Sequence, residues 1–125
     1  MQIACGTDII EISRIKESIE SSNGKFLEKV YTENEIKYCE SKNEQKYQHY
    51  AARFAAKEAT FKALSKYLEE KHVEWKNIEV LNDESGRPSI NFVNKELEEI
   101  ESIDISLSHC KGYAVANVVA LFKNY

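Results

Sequence analysis

The sequence predicts a single α+β domain in which an antiparallel sheet packs against a long central helix. Three observations predict it. Two segments near the C-terminus, 78–92 and 103–122, each read as a pair of strands around a polar turn. A stretch from about 44 to 68 is punctuated by neither glycine nor proline and keeps helical spacing. The length, 125 residues, fits one domain over 1–125 and is too short for two of ordinary size.

Taken in order, residues 2–7 form a short apolar strand. Asp8, with Glu11 three residues on, has the spacing of a capping box for a helix that keeps Ile12, Ile15 and Ile19 on one face. Gly24 breaks that helix, and 25–30 adds one or two turns. Thr32-Glu33-Asn34-Glu35 is a second capping box and opens a helix to about Ser41. In the long helix, Ala51, Ala52, Ala55, Ala56 and Ala59 form a small-residue stretch that allows another backbone to pack close. Strands at 78–81 and 89–92 flank the turn Asn82-Asp83-Glu84-Ser85-Gly86. Asn94 is placed to cap a short acidic helix. Strands at 103–108 and 113–122 close a second hairpin around Lys111-Gly112. The last strand is nearly continuous in apolar residues, which predicts cover on both faces.

Composition narrows the function. Hydrophobic residues make up 42% and charged residues 30%, a globular balance. No apolar run approaches the ~18 residues of a membrane span, and the N-terminus lacks the apolar core of a signal peptide. Cys5, Cys39 and Cys110 are odd in number and show no metal-ligand spacing. They read as reduced thiols in a cytoplasmic protein. A net charge of −4 argues against general nucleic-acid binding. The charge is polarised, however. Lys42, Lys46, Arg53, Lys57, Lys62 and Lys66 face only Glu44 and Glu58 within 42–66, whereas 95–104 is strongly acidic. The acidic run is a solvated face; the basic run is either that or a surface for an anionic ligand.

Four features carry possible chemistry. Asp8 ends a strand and is either a helix cap or a ligand. Glu58 and Lys62 are four apart on a helix, an ordinary surface ion pair unless a second carboxylate joins them. Two carboxylates on separate elements beside a lysine would hold Mg²⁺ against a phosphate. Gly86-Arg87-Pro88 is at least a turn with strand entry. Ser106-Leu107-Ser108-His109 ends a strand in histidine, usually a structural placement.

In combination these features resemble a known family, the bacterial holo-[acyl-carrier-protein] synthases of the 4′-phosphopantetheinyl transferase group. Gly6-Thr7-Asp8-Ile9-Ile10-Glu11-Ile12-Ser13-Arg14-Ile15 is similar to the family's N-terminal motif. The segment from Phe26 through Thr32 to Glu35 is similar to its second motif. Arg53-Phe54-Ala55-Ala56-Lys57-Glu58-Ala59 with Lys62 resembles the most diagnostic one. Trp75 to Val80, Gly86-Arg87-Pro88 and Ser106 to His109 follow at the expected places, so the resemblance covers essentially the whole chain.

The resemblance implies transfer of the 4′-phosphopantetheine arm of coenzyme A to a serine of apo acyl carrier protein, releasing adenosine 3′,5′-bisphosphate. This activity serves fatty acid and lipid biosynthesis. It implies Mg²⁺ on Asp8 and Glu58 against the pyrophosphate. Glu58, or a water it contacts, would take the serine proton, and Lys62 would assist the departing bisphosphate. Arg53 and His109 would meet the 3′-phosphate, with Gly86, Arg87 and Pro88 on the adenine side. Arg14 would pair with acidic residues of the carrier protein, and the assembly would be a homotrimer with shared sites. Two departures stand out. Glu17 and Glu20 make the first helix less basic than the family norm, and the glycine-rich loop after Lys62 is replaced by Leu64-Ser65-Lys66-Tyr67-Leu68-Glu69-Glu70-Lys71-His72. The alternatives are a catalytically weak relative that binds coenzyme A or carrier protein, and a small α+β module presenting a sheet to RNA. The latter would need exposed aromatics on adjacent strands.

Overall fold

The computed structural model describes residues 2–123. Strand β1 (Gln2–Glu11) is followed by helices α1 (Ile12–Ser21), α2 (Lys25–Val30), α3 (Glu33–Glu40) and α4 (Lys46–Ala63) and by a single turn, α5 (Ser65–Leu68). Strands β2 (Ile78–Asn82), β3 (Pro88–Phe92), β4 (Ile100–His109) and β5 (Tyr113–Phe122) complete the chain. β5 lies between β1 and β4 in an antiparallel three-stranded sheet, and β2 and β3 form a separate hairpin. No helix among the described residues is long and apolar enough to cross a membrane. Cys5, Cys39 and Cys110 are free thiols, Cys39 buried and the other two exposed.

The core is built on small residues. Ala55, Ala56, Ala59 and Ala63 of α4 pack with Ala116 and Val118 of β5, Ile105 of β4 and Val80 of β2. Across the helix, Ala51 and Ala52 join Ile12, Ile15, Val30, Tyr31 and Tyr50. The closest approach is at Gly6 on β1: a Cβ there would stand 2.1 Å from the Ala59 carbonyl oxygen and 2.8 Å from the Ala63 nitrogen. Helix and strand therefore touch backbone to backbone.

The capping box of Thr32 and Glu35 forms as read, with Thr32 Oγ1 accepting from Glu35 N at 3.2 Å and Glu35 Oε1 from Thr32 N at 2.9 Å. Glu35 is also buried, pairs with Lys57 at 2.7 Å, and accepts from Val80 N at 2.9 Å. Lys57 donates as well to the Trp75 and Ile78 carbonyls at 3.0 and 2.6 Å. One ammonium thus fastens α3 and the start of β2 to the middle of α4.

The structure corrects four sequence expectations. Asp8 caps nothing: β1 pairs with β5 over ten residues and runs on to Glu11, and the first helical N–H, of Ile12, is taken by the Gly112 carbonyl at 2.9 Å. Asn94 opens no helix. Its φ of 57° is left-handed, whereas an N-cap is extended, and the following segment tucks Leu97 against Leu64, Ala120 and Phe122. The long helix ends at Ala63, because Leu64 (φ −101°, ψ 6°) turns inward and is buried. Finally, β5 alternates within this chain. Ala114, Ala116, Val118, Ala120 and Phe122 are buried, while Tyr113 and Val119 are exposed together with Ile3 and Ile9 of β1. The sheet therefore has an open outer face with large apolar residues. Among the described residues no RNA-stacking sheet is built: of the strand aromatics Tyr113 is exposed, but Phe122 is buried and Phe92 only half-exposed.

Gly6→Ala is expected to lower the unfolding free energy by about 1–3 kcal/mol, since the added methyl meets backbone that cannot yield locally. A lower urea midpoint at unchanged slope would check this.

Candidate active site

Asp8, Glu58 and Lys62 come together at the edge of the sheet. Side chains of β1 alternate, so Gly6 and Asp8 turn toward α4 while Thr7 and Ile9 turn out. Glu58 and Lys62 sit one turn apart on the facing side of the helix. Lys62 Nζ lies 3.0 Å from Asp8 Oδ1 and donates to the Thr7 carbonyl, also at 3.0 Å. Partial burial, and then the Asp8 charge, raise the proton affinity of the Glu58 carboxyl above its usual value; Lys62 opposes them.

This donor set fits a hard divalent cation. Two carboxylates from separate elements push on each other, and a cation between them would relieve the strain that Glu58 registers. Among the described residues no group of three or more His, Cys, Asp or Glu is gathered to hold a metal. The remaining ligands would be substrate oxygens and water, the usual arrangement for magnesium.

The other expected site residues lie elsewhere. Arg53 precedes Glu58 by five residues, which is about 140° around the helix. It is 2% exposed, and its guanidinium stacks 4.1 Å from the Tyr38 ring centre and donates to Asn82 Oδ1. Its Nε is buried without a hydrogen-bond partner. Asn82 in turn donates to the Gly86 carbonyl at 3.0 Å, so Arg53 and the Gly86-Arg87-Pro88 turn are joined through one side chain. Gly86 takes φ 89°, a left-handed conformation that favours glycine. Arg87 reaches Asp104 at 3.1 Å, beside an outer-face groove of about 320 Å³ lined by Pro88, Ser106, Leu107 and Asn117. His109 is exposed at the end of β4, its ring 6.3 Å from that of His49 on α4. Arg14 is exposed on α1.

Helix α4 therefore carries two half-sites on different faces, one of carboxylates and lysine, the other of arginine and histidines. Sequence reasoning missed three members of the second: His49, Tyr38 and Asn82. The i,i+4 spacing of His49 and Arg53 was a readable signal; the approach of Tyr38 and Asn82 was not.

The fold has a counterpart among known proteins. Residues 4–118 match the family model described as the 4′-phosphopantetheinyl transferase superfamily, and the chain belongs to that superfamily. It is 49% identical over 124 residues to the holo-[acyl-carrier-protein] synthase of Ruminiclostridium cellulolyticum, covering 95% of this chain and 92% of the relative. Among solved structures it is similar to a Chronobacterium ammoniagenes ACPS–CoA complex, with a TM-score of 0.84, 25% identity, and 99% and 100% of the two chains covered. It is also similar to the holo-(acyl-carrier-protein) synthase of Bacillus anthracis in complex with CoA (3′,5′-ADP). That match has a TM-score of 0.76 and 36% identity, and covers 94% of each chain.

Because the Glu58 carboxyl binds its proton more tightly folded than unfolded, the stability this contributes is fully present below the unfolded value and is lost as pH rises through the folded one. In metal-free protein, Glu58→Gln is expected to raise the melting temperature at pH 7 and to leave it unchanged at pH 3–4. Thermal unfolding with chelator at the two pH values measures the difference.

Proposed function

We propose that the chain transfers the 4′-phosphopantetheine arm of coenzyme A to a serine hydroxyl of apo acyl carrier protein, releasing adenosine 3′,5′-bisphosphate. The convergence of Asp8, Glu58 and Lys62 carries this reading, in a chain whose relatives are named holo-[acyl-carrier-protein] synthases. The reaction displaces the bisphosphate from the phosphorus that stays with pantetheine. The serine oxygen attacks, its proton leaves, and negative charge grows on the departing phosphate. The raised proton affinity of Glu58 suits a group that receives the serine proton. The Lys62 ammonium, 52% exposed at the mouth of the site, suits the departing phosphate. Magnesium, held by Asp8 and Glu58, would neutralise pyrophosphate charge. Arg53, His109 and the Gly86-Arg87-Pro88 turn would hold the 3′-phosphate and adenine, and exposed Arg14 would meet the acidic carrier protein. In this reading the enzyme works in the cytoplasm, in fatty acid and other lipid biosynthesis.

The same reading includes a homotrimer. Family resemblance supplies the number three. The support from this chain is the outer sheet face, where Ile3, Ile9, Val119 and Tyr113 are 46–69% exposed, together with a site divided between two faces of α4. A neighbouring copy over that face would bring its second half-site to the first.

Incubation with coenzyme A, Mg²⁺ and apo carrier protein should add one phosphopantetheine by intact mass, and EDTA should abolish the addition. A protein that binds coenzyme A but leaves carrier protein unmodified would instead be the weak relative that the missing glycines after Lys62 suggest. Lys62→Ala should lower kcat by about 10²-fold, the scale of acid or electrostatic assistance. A change in KM alone would mark Lys62 as a plain binding contact. Specific activity should fall on dilution in step with dissociation seen by sedimentation; a fully active folded monomer would refute the shared site.

A further inference from the structure

Four nitrogen-bearing side chains gather on the side of α4 away from the carboxylates. The Tyr38 ring is their hub: Arg53 lies 4.1 Å and Lys42 4.7 Å from its centre, and the His49 ring meets it edge-on at 5.5 Å. His109 approaches His49 from the end of β4, with ring centres 6.3 Å apart. Among the described residues none of the four forms an ion pair with a carboxylate. The Arg53 partner is the neutral amide of Asn82, and the buried Arg53 Nε has no partner at all. Two cations without a carboxylate partner, Arg53 and Lys42, beside an orphaned buried N–H are costly unless an anion completes them.

We infer that His49 belongs to this anion site, and that it discriminates coenzyme A from analogues lacking the 3′-phosphate by taking up a proton when the phosphate monoester binds. The inference rests on the transferase reading and adds to it a residue that reading does not use. His49 stands four residues before Arg53, so both imidazole and guanidinium project from one face of the helix. The groups acting on it are Lys42 beyond α3, Arg53 on its own helix and His109 on β4, all of which oppose a further positive charge. Burial and these three neighbours pull its pKa down to about 4, so the free imidazole is neutral at physiological pH. A phosphate dianion seated among the same groups reverses the balance. The imidazole then gains a proton and donates a charge-assisted hydrogen bond. The pyrophosphate, by contrast, is assigned to the Asp8 and Glu58 side, so the two phosphate positions are read by different chemistry.

Binding of adenosine 3′,5′-bisphosphate and of adenosine 5′-monophosphate, by calorimetry in buffers of different ionisation enthalpy, separates the cases. The wild type should take up protons with the bisphosphate and not with the monophosphate. His49→Phe and His49→Gln should abolish the uptake and weaken the bisphosphate by about tenfold or more, leaving the monophosphate unchanged. In the transfer assay both variants should raise KM for coenzyme A by a like factor, with kcat and the KM for 3′-dephospho-coenzyme A unchanged. A wild type that transfers from coenzyme A but takes up no proton, or variants that keep its preference for the 3′-phosphate, would overturn the role of His49 alone. A wild type that neither binds the bisphosphate nor transfers would overturn the transferase reading and this inference with it.

Discussion

The contact on which the site depends is the backbone approach of α4 to β1 at Gly6. A Cβ at Gly6 would stand 2.1 Å from the Ala59 carbonyl oxygen, so only glycine fits there, and the alanines at 55, 56, 59 and 63 keep the helix side equally slim. Asp8 is two residues along the same face of the strand, and Glu58 and Lys62 flank Ala59 on the helix. The distance at which Asp8 meets Lys62, 3.0 Å, follows from how deeply the helix sits. A larger side chain at Gly6 would part the elements and the charged groups with them. Packing and chemistry are here one constraint.

The opposite side of α4 is fixed by charge. Lys57 is fully buried, yet its ammonium has three acceptors: Glu35 Oε1 and the Trp75 and Ile78 carbonyls. Burial lowers its pKa, and the Glu35 carboxylate works against that. A buried pair adds little net stability over apolar packing, but leaving either partner alone is expensive. Its effect is therefore to specify position. It sets the rotation of α4 against α3 and β2, which decides that Arg53 and His49 face Tyr38 and His109 while Glu58 and Lys62 face the sheet edge.

What the sequence allowed to be read was local. The capping box at Thr32 and Glu35 involves four successive residues and formed as expected. The same spacing at Asp8 and Glu11 misled, because ten residues of pairing with β5 outweigh one cap, and that pairing joins residues over a hundred apart. Asn94 failed for a similar reason, with Leu97 drawn into a cluster made by distant residues. The break at Leu64 has no glycine or proline to announce it. The carboxylate pair was legible through family resemblance. Its division from Arg53 was legible in principle from helical periodicity, since 53 and 58 cannot share a face. The meeting of His49 with His109 joins residues sixty apart, and nothing in local pattern announces it.

The open sheet face and the half-sites are linked through the alternation of β1. Gly6 and Asp8 point to the helix, so Thr7 and Ile9 must point outward, on the face where Ile3 and Val119 are also exposed. Thr7 binds on both sides: its hydroxyl donates to Asn117 Oδ1 at 2.8 Å on the outer face, and its carbonyl accepts from Lys62. Asn117 also lines the groove that Arg87 and Pro88 border. Anything that covers the outer face therefore presses on a strand whose other side orients Lys62 and Asp8. An exposed apolar face of this size is costly to leave in water. Its position, one residue out of phase with the charged site, would make association of copies a means of holding the site rigid as well as burying the face.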